Sequence, residues 1–226
     1  MFVHPEIVGP KTRRDCYSND VESAAILSLA ITGASGAGVA RVLLAMLERD
    51  PRVAHVDLVA SPHGLRVARE ELDLPEGTLD QLAHRLLGRA PGKTEVHDDR
   101  DIGANIASGS YPSRGMIVAP CSMGTCAGIA HGLADSLIKR AADVCLKERR
   151  PLVLAVRETP LNRIHLRNLL EASEAGATIF PLMPAFYDGA LTAEAMTAQF
   201  AARLLEHVGL PQPSVFQWQG RRPRQA

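Results

Sequence analysis

From Ile26 onward, short apolar runs of strand length alternate with longer stretches of helical period. That alternation predicts right-handed βαβ crossovers and a parallel sheet covered on both faces. Runs rich in Val, Ile, Leu and Ala mark doubly buried strands at Ile26–Thr32, Val53–Ala60, Met116–Ala119, Leu152–Val156 and Thr178–Leu182. Ala37–Arg49 sets Val39, Val42, Leu43, Met46 and Leu47 on one helical face and stops at Pro51, and Leu161–Ala175 repeats the scheme up to Gly176. Thr78–Leu87 reads as a helix, and Pro91–Arg100 as a polar loop holding the weak strand Thr94–His97. The expectation is one α/β domain over residues 25–210, with a polar extension at 1–24 and a tail at 211–226. Trp218, alone in that polar tail, needs a burial partner.

Composition narrows the function classes. The 226 residues hold 25 Lys+Arg against 25 Asp+Glu, and 46% are hydrophobic, an ordinary balance for a chain with one sizeable core. Zero formal net charge offers polyphosphate no long-range attraction, and 4% aromatics leave few rings for stacking bases, which argues against a general nucleic-acid binder. The cluster Arg221, Arg222 and Arg224 reads as a solvated terminus. No apolar run nears the roughly 20 residues of a bilayer span, and Met1–Val21 lacks the apolar stretch of a secretory signal, so a cytoplasmic enzyme is expected. The four cysteines (Cys16, Cys121, Cys126, Cys145) form no CxxC pair and read as free thiols. The eight histidines show no HxxxH or HxH pairing, so no protein-ligated metal is expected.

The candidate chemistry lies in the turns after the strands. Thr32-Gly33-Ala34-Ser35-Gly36-Ala37-Gly38 is a small-residue turn opening a helix, where backbone amides and the helix N-terminus favour an anion. Its glycine order, GxxGxG, is neither the dinucleotide fingerprint nor a P-loop, and GxSxG is missing. A mononucleotide phosphate fits this turn, and so does simple tight packing. Pro120-Cys121-Ser122-Met123-Gly124-Thr125 leads into a helix expected at Cys126–Leu133, which Ser122 could merely cap. In an open parallel sheet such turns converge on one crevice, joined there by Ser61 and by Arg157-Glu158. In the cation-rich segment Lys139–Arg150, Arg140 and Lys147 stand two helical turns apart on one face and could clamp a second phosphate.

Taken in order, these stretches resemble one family. Thr32–Ala37, Ala107-Ser108-Gly109-Ser110, Pro120-Cys121-Ser122, Arg140-Ala141-Ala142-Asp143-Val144 and Leu146-Lys147-Glu148-Arg149-Arg150-Pro151 are similar to the UbiX flavin prenyltransferases. The likeness continues through Arg157-Glu158-Thr159-Pro160-Leu161, His165-Leu166, Pro184-Ala185-Phe186-Tyr187 and Trp218. Members have also been called aromatic-acid decarboxylases. The resemblance implies a three-layer Rossmann-like or flavodoxin-like flavoprotein that moves a dimethylallyl group from dimethylallyl phosphate onto N5 and C6 of reduced FMN without a metal. The product, prenylated FMN, would serve a UbiD-type decarboxylase. Such proteins are commonly homododecamers with the site between subunits.

Carried over to this chain, the resemblance implies that Gly33, Ala34, Ser35, Ser61, Ser122, Met123, Gly124, Thr125 and Arg157 hold FMN, with Trp218 near the flavin. It implies that Tyr187 and Arg203, joined by Arg140 and Lys147, hold the prenyl donor, and that Glu71 and Glu158 take part in catalysis with Ser35. Pro62-His63, Met123 and Ser136 depart from the family pattern. A cysteine decarboxylase of the same fold and an FMN carrier are the competing expectations. The first has no need of a second phosphate clamp.

Overall fold

The computed structural model describes residues 24–183, 185–186 and 192–217. Tyr187 and Trp218 lie outside the described residues, as does Cys16. The elements run β1 (Ala25–Ile31), α1 (Ala37–Arg49), β2 (Val53–Ala60), α2 (Pro62–Leu72), α3 (Leu82–Leu87), β3 (Thr94–Asp98), β4 (Ser113–Cys121), α4 (Met123–Ala130), α5 (Leu137–Lys147), β5 (Leu152–Val156), α6 (Arg163–Glu174), β6 (Thr178–Ile179) and α7 (Ala193–Glu206).

The strands form one parallel sheet in the order β3-β2-β1-β4-β5-β6. Alternate residues of each strand feed two separate cores. Ile117 and Ala119 of β4 face the core shared with α1, α3 and α7, while Met116 and Val118 face the one shared with α4, α5 and α6. With both faces covered, the inner strands are mostly apolar, the pattern expected of doubly buried strands, with Ser28, Asp57 and Ser113 as buried polar exceptions. Strand order reverses between β1 and β4, so the loops leaving their carboxyl ends diverge to opposite faces and open a crevice.

Several boundaries differ from the sequence expectation. β4 is longer than Met116–Ala119, because Gly115 lets the strand pass against the Pro151 backbone and polar Ser113 still pairs with Ile26. α4 starts three residues before Cys126, since Ser122 caps it. β6 stops at Ile179, short of Leu182, and only single backbone bonds, Phe180 to Leu154 and Leu182 to Val156, continue along β5. α3 begins at Leu82 instead of Thr78, and α6 at Arg163 behind an Asn162 cap instead of Leu161.

Cys121, Cys126 and Cys145 are free and buried. Burial pushes the Cys126 thiol up to about 11 and that of Cys145 to about 12, so neither is a thiolate near neutral pH. Past the sheet, Leu210 is fully buried, and Gln199 of α7 holds the tail through Ser214 O and Phe216 N.

Candidate functional site

The crevice is assembled around one buried hydroxyl. Thr32, at the end of β1, donates its hydroxyl to Pro120 O at 2.9 Å and accepts from Ser122 N at 2.8 Å. It thereby locks the turn after β1 to the turn after β4. A cavity of about 440 Å³ opens beside this lock, lined by Gly33, Ser61, Pro62, His63, Asp99, Ser122, Gly124, Thr125, Ser136, Ile138 and Lys139. Gly33, Ser61, Ser122, Gly124 and Thr125 are thus brought together as expected from sequence. Met123 is buried beneath them.

Among the described residues, α1, α2, α4 and α5 begin at this rim, and their first amides are satisfied in two ways. Ser61 accepts from Gly64 N at 3.0 Å at the head of α2, and Ser122 accepts from Thr125 N at the head of α4 while its Oγ meets Thr125 Oγ1 at 3.0 Å. Capping and lining coincide in these serines: each hydroxyl oxygen serves its own helix and still faces the cavity.

At α1 the capping group is a carboxylate from another element. Glu71 of α2 accepts from Gly36 N at 2.9 Å and Ala37 N at 2.8 Å, and it also takes a hydrogen bond from Ser35. The anion at the small-residue turn is therefore the protein's own. Gly36, at φ 121°, has the left-handed backbone that lets both amides turn toward Glu71. Burial opposes ionisation of Glu71, but the bonds from Ser35, Gly36 and Ala37, with the Arg157 charge, hold its carboxyl below the usual range.

Asp99 does the same for α5, accepting from Ile138 N at 2.9 Å and from the Ser136 side chain. Here burial outweighs the hydrogen bonds and the nearby Lys139 charge, and the carboxyl titrates above its usual range. Asp99, His63 and Lys139 are wall residues that sequence spacing did not single out. From the charged segment, whose Arg140 and Lys147 were expected together at a second phosphate, it is Lys139, paired with Asp135, that lines this cavity.

The other predicted cations sit apart from this cavity. Arg140 donates to Ala107 O and pairs with Asp143 at 2.7 Å, while Lys147 pairs with Glu148 beside Gly109. They do share one side of α5, over the Ala107–Ser110 loop. Arg203 belongs to α7, on the opposite face of the sheet, in a small cavity with Phe180, Met183, Phe200 and Phe216. Arg157 and Glu158 stand exposed on the rim after β5, Glu158 accepting from Thr159 N at 3.0 Å. Ala34 and Ser35 lie in the turn between β1 and α1.

A family model described as Flavoprotein matches residues 16–201. A flavin prenyltransferase UbiX from Alkalihalophilus pseudofirmus is 42% identical over 193 residues, 85% of this chain and 96% of the relative. The chain belongs to the UbiX flavin prenyltransferase family. Among solved structures, the UbiX protein AnUbiX (PadA1) in complex with FMN and dimethylallyl pyrophosphate is 39% identical, with a TM-score of 0.76 over 88% of this chain and 99% of that one. A dodecameric FMN-dependent UbiX-like decarboxylase from Escherichia coli O157:H7 is 41% identical, with a TM-score of 0.75 over 86% and 100%. The UbiX crevice at the β1–β4 reversal is the same place in the sheet where α/β proteins of this topology take their ligands.

Proposed function

We propose that this UbiX-family chain transfers a dimethylallyl group from dimethylallyl phosphate to N5 and C6 of reduced FMN, and that the prenylated FMN released serves a UbiD-type decarboxylase. The observation that carries the reading is the likeness, over nearly the whole chain, to a protein crystallised with FMN and dimethylallyl pyrophosphate together. The cavity residues fit a flavin mononucleotide. Ser61, Ser122 and Thr125 offer hydroxyls and Lys139 an ammonium for the phosphate, while Pro62 and Ile138 offer apolar wall. Gly124 leaves open space where a side chain would intrude.

When bound, reduced flavin supplies the electron-rich centre that accepts the allyl group. The chain's task is then to hold that centre dry and to take charge off the departing phosphate. Glu71, held ionised, fixes the Ser35 hydroxyl at the mouth of the first turn, where it can relay a proton. Glu158 on the rim is the other candidate to accept the C6 proton. Arg140, Lys147, Tyr187 and Arg203 are assigned to the donor phosphate, where preorganised cations stabilise the charge developing on the leaving oxygen.

α5 and α7 cover opposite faces of the sheet, so Arg140 and Lys147 of one copy would meet Arg203 of another only if two copies abut. α6 offers exposed Ile164, Leu166 and Leu170 for such contacts. We therefore infer a homo-oligomer, a dodecamer like the Escherichia coli relative, acting in the cytoplasm. Among the described residues no helix is long and apolar enough to cross a membrane.

The test is anaerobic incubation with reduced FMN and dimethylallyl phosphate, followed by mass spectrometry of the flavin. A gain of one prenyl unit is expected. Unmodified flavin would favour a cysteine decarboxylase or a carrier. Arg140→Ala and Tyr187→Phe should keep FMN and lose transfer, and equal loss of flavin from both would refute the two-phosphate assignment.

A further inference from the structure

Away from the crevice, β2 and β3 gather a second set of chemistry-bearing side chains. His55 and Asp57 are two residues apart on β2, and Glu95 and His97 two apart on β3. The parallel register sets Asp57 against Glu95 and Val59 against His97, so all four share one sheet face. His55 Nε2 lies 3.3 Å from Asp57 Oδ1 and 3.6 Å from Glu95 Oε2. His97 Nε2 meets Asp57 Oδ1 at 2.8 Å, and the Tyr111 hydroxyl donates to Asp57 Oδ2 at 3.1 Å. None of these residues lines the crevice.

The distances separate two kinds of contact. The His97–Asp57 and Tyr111–Asp57 contacts are ordinary hydrogen bonds. His55 Nε2 is too far from either carboxylate oxygen for a good one, yet it stands almost equally far from both. Zinc binds imidazole nitrogen and carboxylate oxygen at about 2.0–2.2 Å, which puts neighbouring ligand atoms of a tetrahedron about 3.3–3.5 Å apart. The two distances from His55 are close to that spacing, and the three ligand atoms all fall within 4.8 Å of one another. The Asp57 side chain is only 1% exposed and Glu95 is 59% exposed, so the set has a buried floor and an open mouth through which an ion and water can enter.

We propose that His55, Asp57 and Glu95 form a binding site for one divalent transition-metal ion of the zinc type, with water completing its coordination. His97 and Tyr111 are positioning residues that orient the Asp57 carboxylate. Two carboxylates balance the charge of the ion, and the mixed nitrogen and oxygen set favours zinc or cobalt over calcium or magnesium. The site is separate from prenyl transfer. Its effect is to clasp β2 to the border strand β3, raising resistance to unfolding in proportion to ion occupancy.

The test uses the full-length, tag-free chain stripped by a chelator and titrated with Co²⁺ and Zn²⁺. One Co²⁺ per chain, with visible absorption of low-symmetry coordination, and a Zn²⁺-dependent rise in melting temperature of a few degrees are expected. Glu95→Gln, at an exposed position, should abolish both responses and leave FMN binding unchanged, and His55→Ala should do the same. His97→Gln should weaken Co²⁺ by roughly tenfold without changing stoichiometry. No saturable binding, or binding that survives Glu95→Gln unchanged, would overturn the assignment and leave a metal-free His97–Asp57 hydrogen-bond network.

Discussion

The four helix N-termini at the crevice divide into two pairs. α2 and α4 are capped by their own serines, Ser61 and Ser122, whereas α1 and α5 receive carboxylates from elsewhere, Glu71 and Asp99. A helix start already holding a fixed carboxylate repels a second anion, and one capped by a neutral hydroxyl still offers its dipole and an O–H. The difference favours the proposal that the serine-capped turns, beside Lys139, take the FMN phosphate, with the glycine turn after β1 positioning Ser35. Glycine-rich turns are therefore not interchangeable with anion sites, since what matters is whether the protein has supplied the anion itself.

The most damaging way to break the comparison is Gly64→Ala. The new Cβ would overlap the Ile31 carbonyl oxygen at the head of α2, so the serine-capped turn must shift. Stability should fall by about 3 kcal/mol in chemical denaturation, with loss of FMN binding by fluorescence titration. Ser122→Ala removes a cap and a cavity hydroxyl together. It should cost about 1 kcal/mol of stability and weaken FMN roughly fivefold; unchanged flavin affinity would place the phosphate elsewhere. Glu71→Ala should cost somewhat less, about 0.5–1 kcal/mol at this partly solvated position. Added sulfate should recover part of the melting temperature as the vacated α1 terminus takes up an anion.

The smallest effect lies in the pH dependence, where the two carboxylates have opposite signs. Glu71 titrates below its unfolded value, so its contribution is complete above about pH 4.3 and is lost as pH falls through the folded value. Asp99 titrates above its unfolded value, so stability declines as pH rises from about 3.9 through the folded value. In urea titrations across pH 3–6, Glu71→Gln should flatten the acid-side loss, and Asp99→Asn should remove the decline on the higher side.

Local periodicity carried the fold well for elements inside the sheet and for the helix packed against it. Ala37–Arg49 and Leu152–Val156 match α1 and β5 residue for residue. Periodicity was weaker where an element is set by a partner far along the chain: β4 runs on through Gly115 because Pro151 is beside it, and β6 is cut short near Pro181. The same division holds in the site. Gly33, Ser61, Ser122, Gly124 and Thr125 were legible because each follows a strand, and strand ends fix position. Lys139 was not, because a run of cations does not say which one turns inward, and Asp99 reaches α5 from 39 residues away. Nor could sequence spacing pair His55 with Glu95, whose meeting depends on strand register.

The borders of the sheet carry a final consequence. β3 is five residues long and bears Glu95 and Asp98, and β6 at the far side has only two residues. Among the described residues, neither flank offers a long, flat, uncharged ladder to which another polypeptide could add a strand. The oligomer proposed above would therefore join its copies through helix surfaces, an arrangement that suits closed, discrete shells and guards against open-ended fibrous growth.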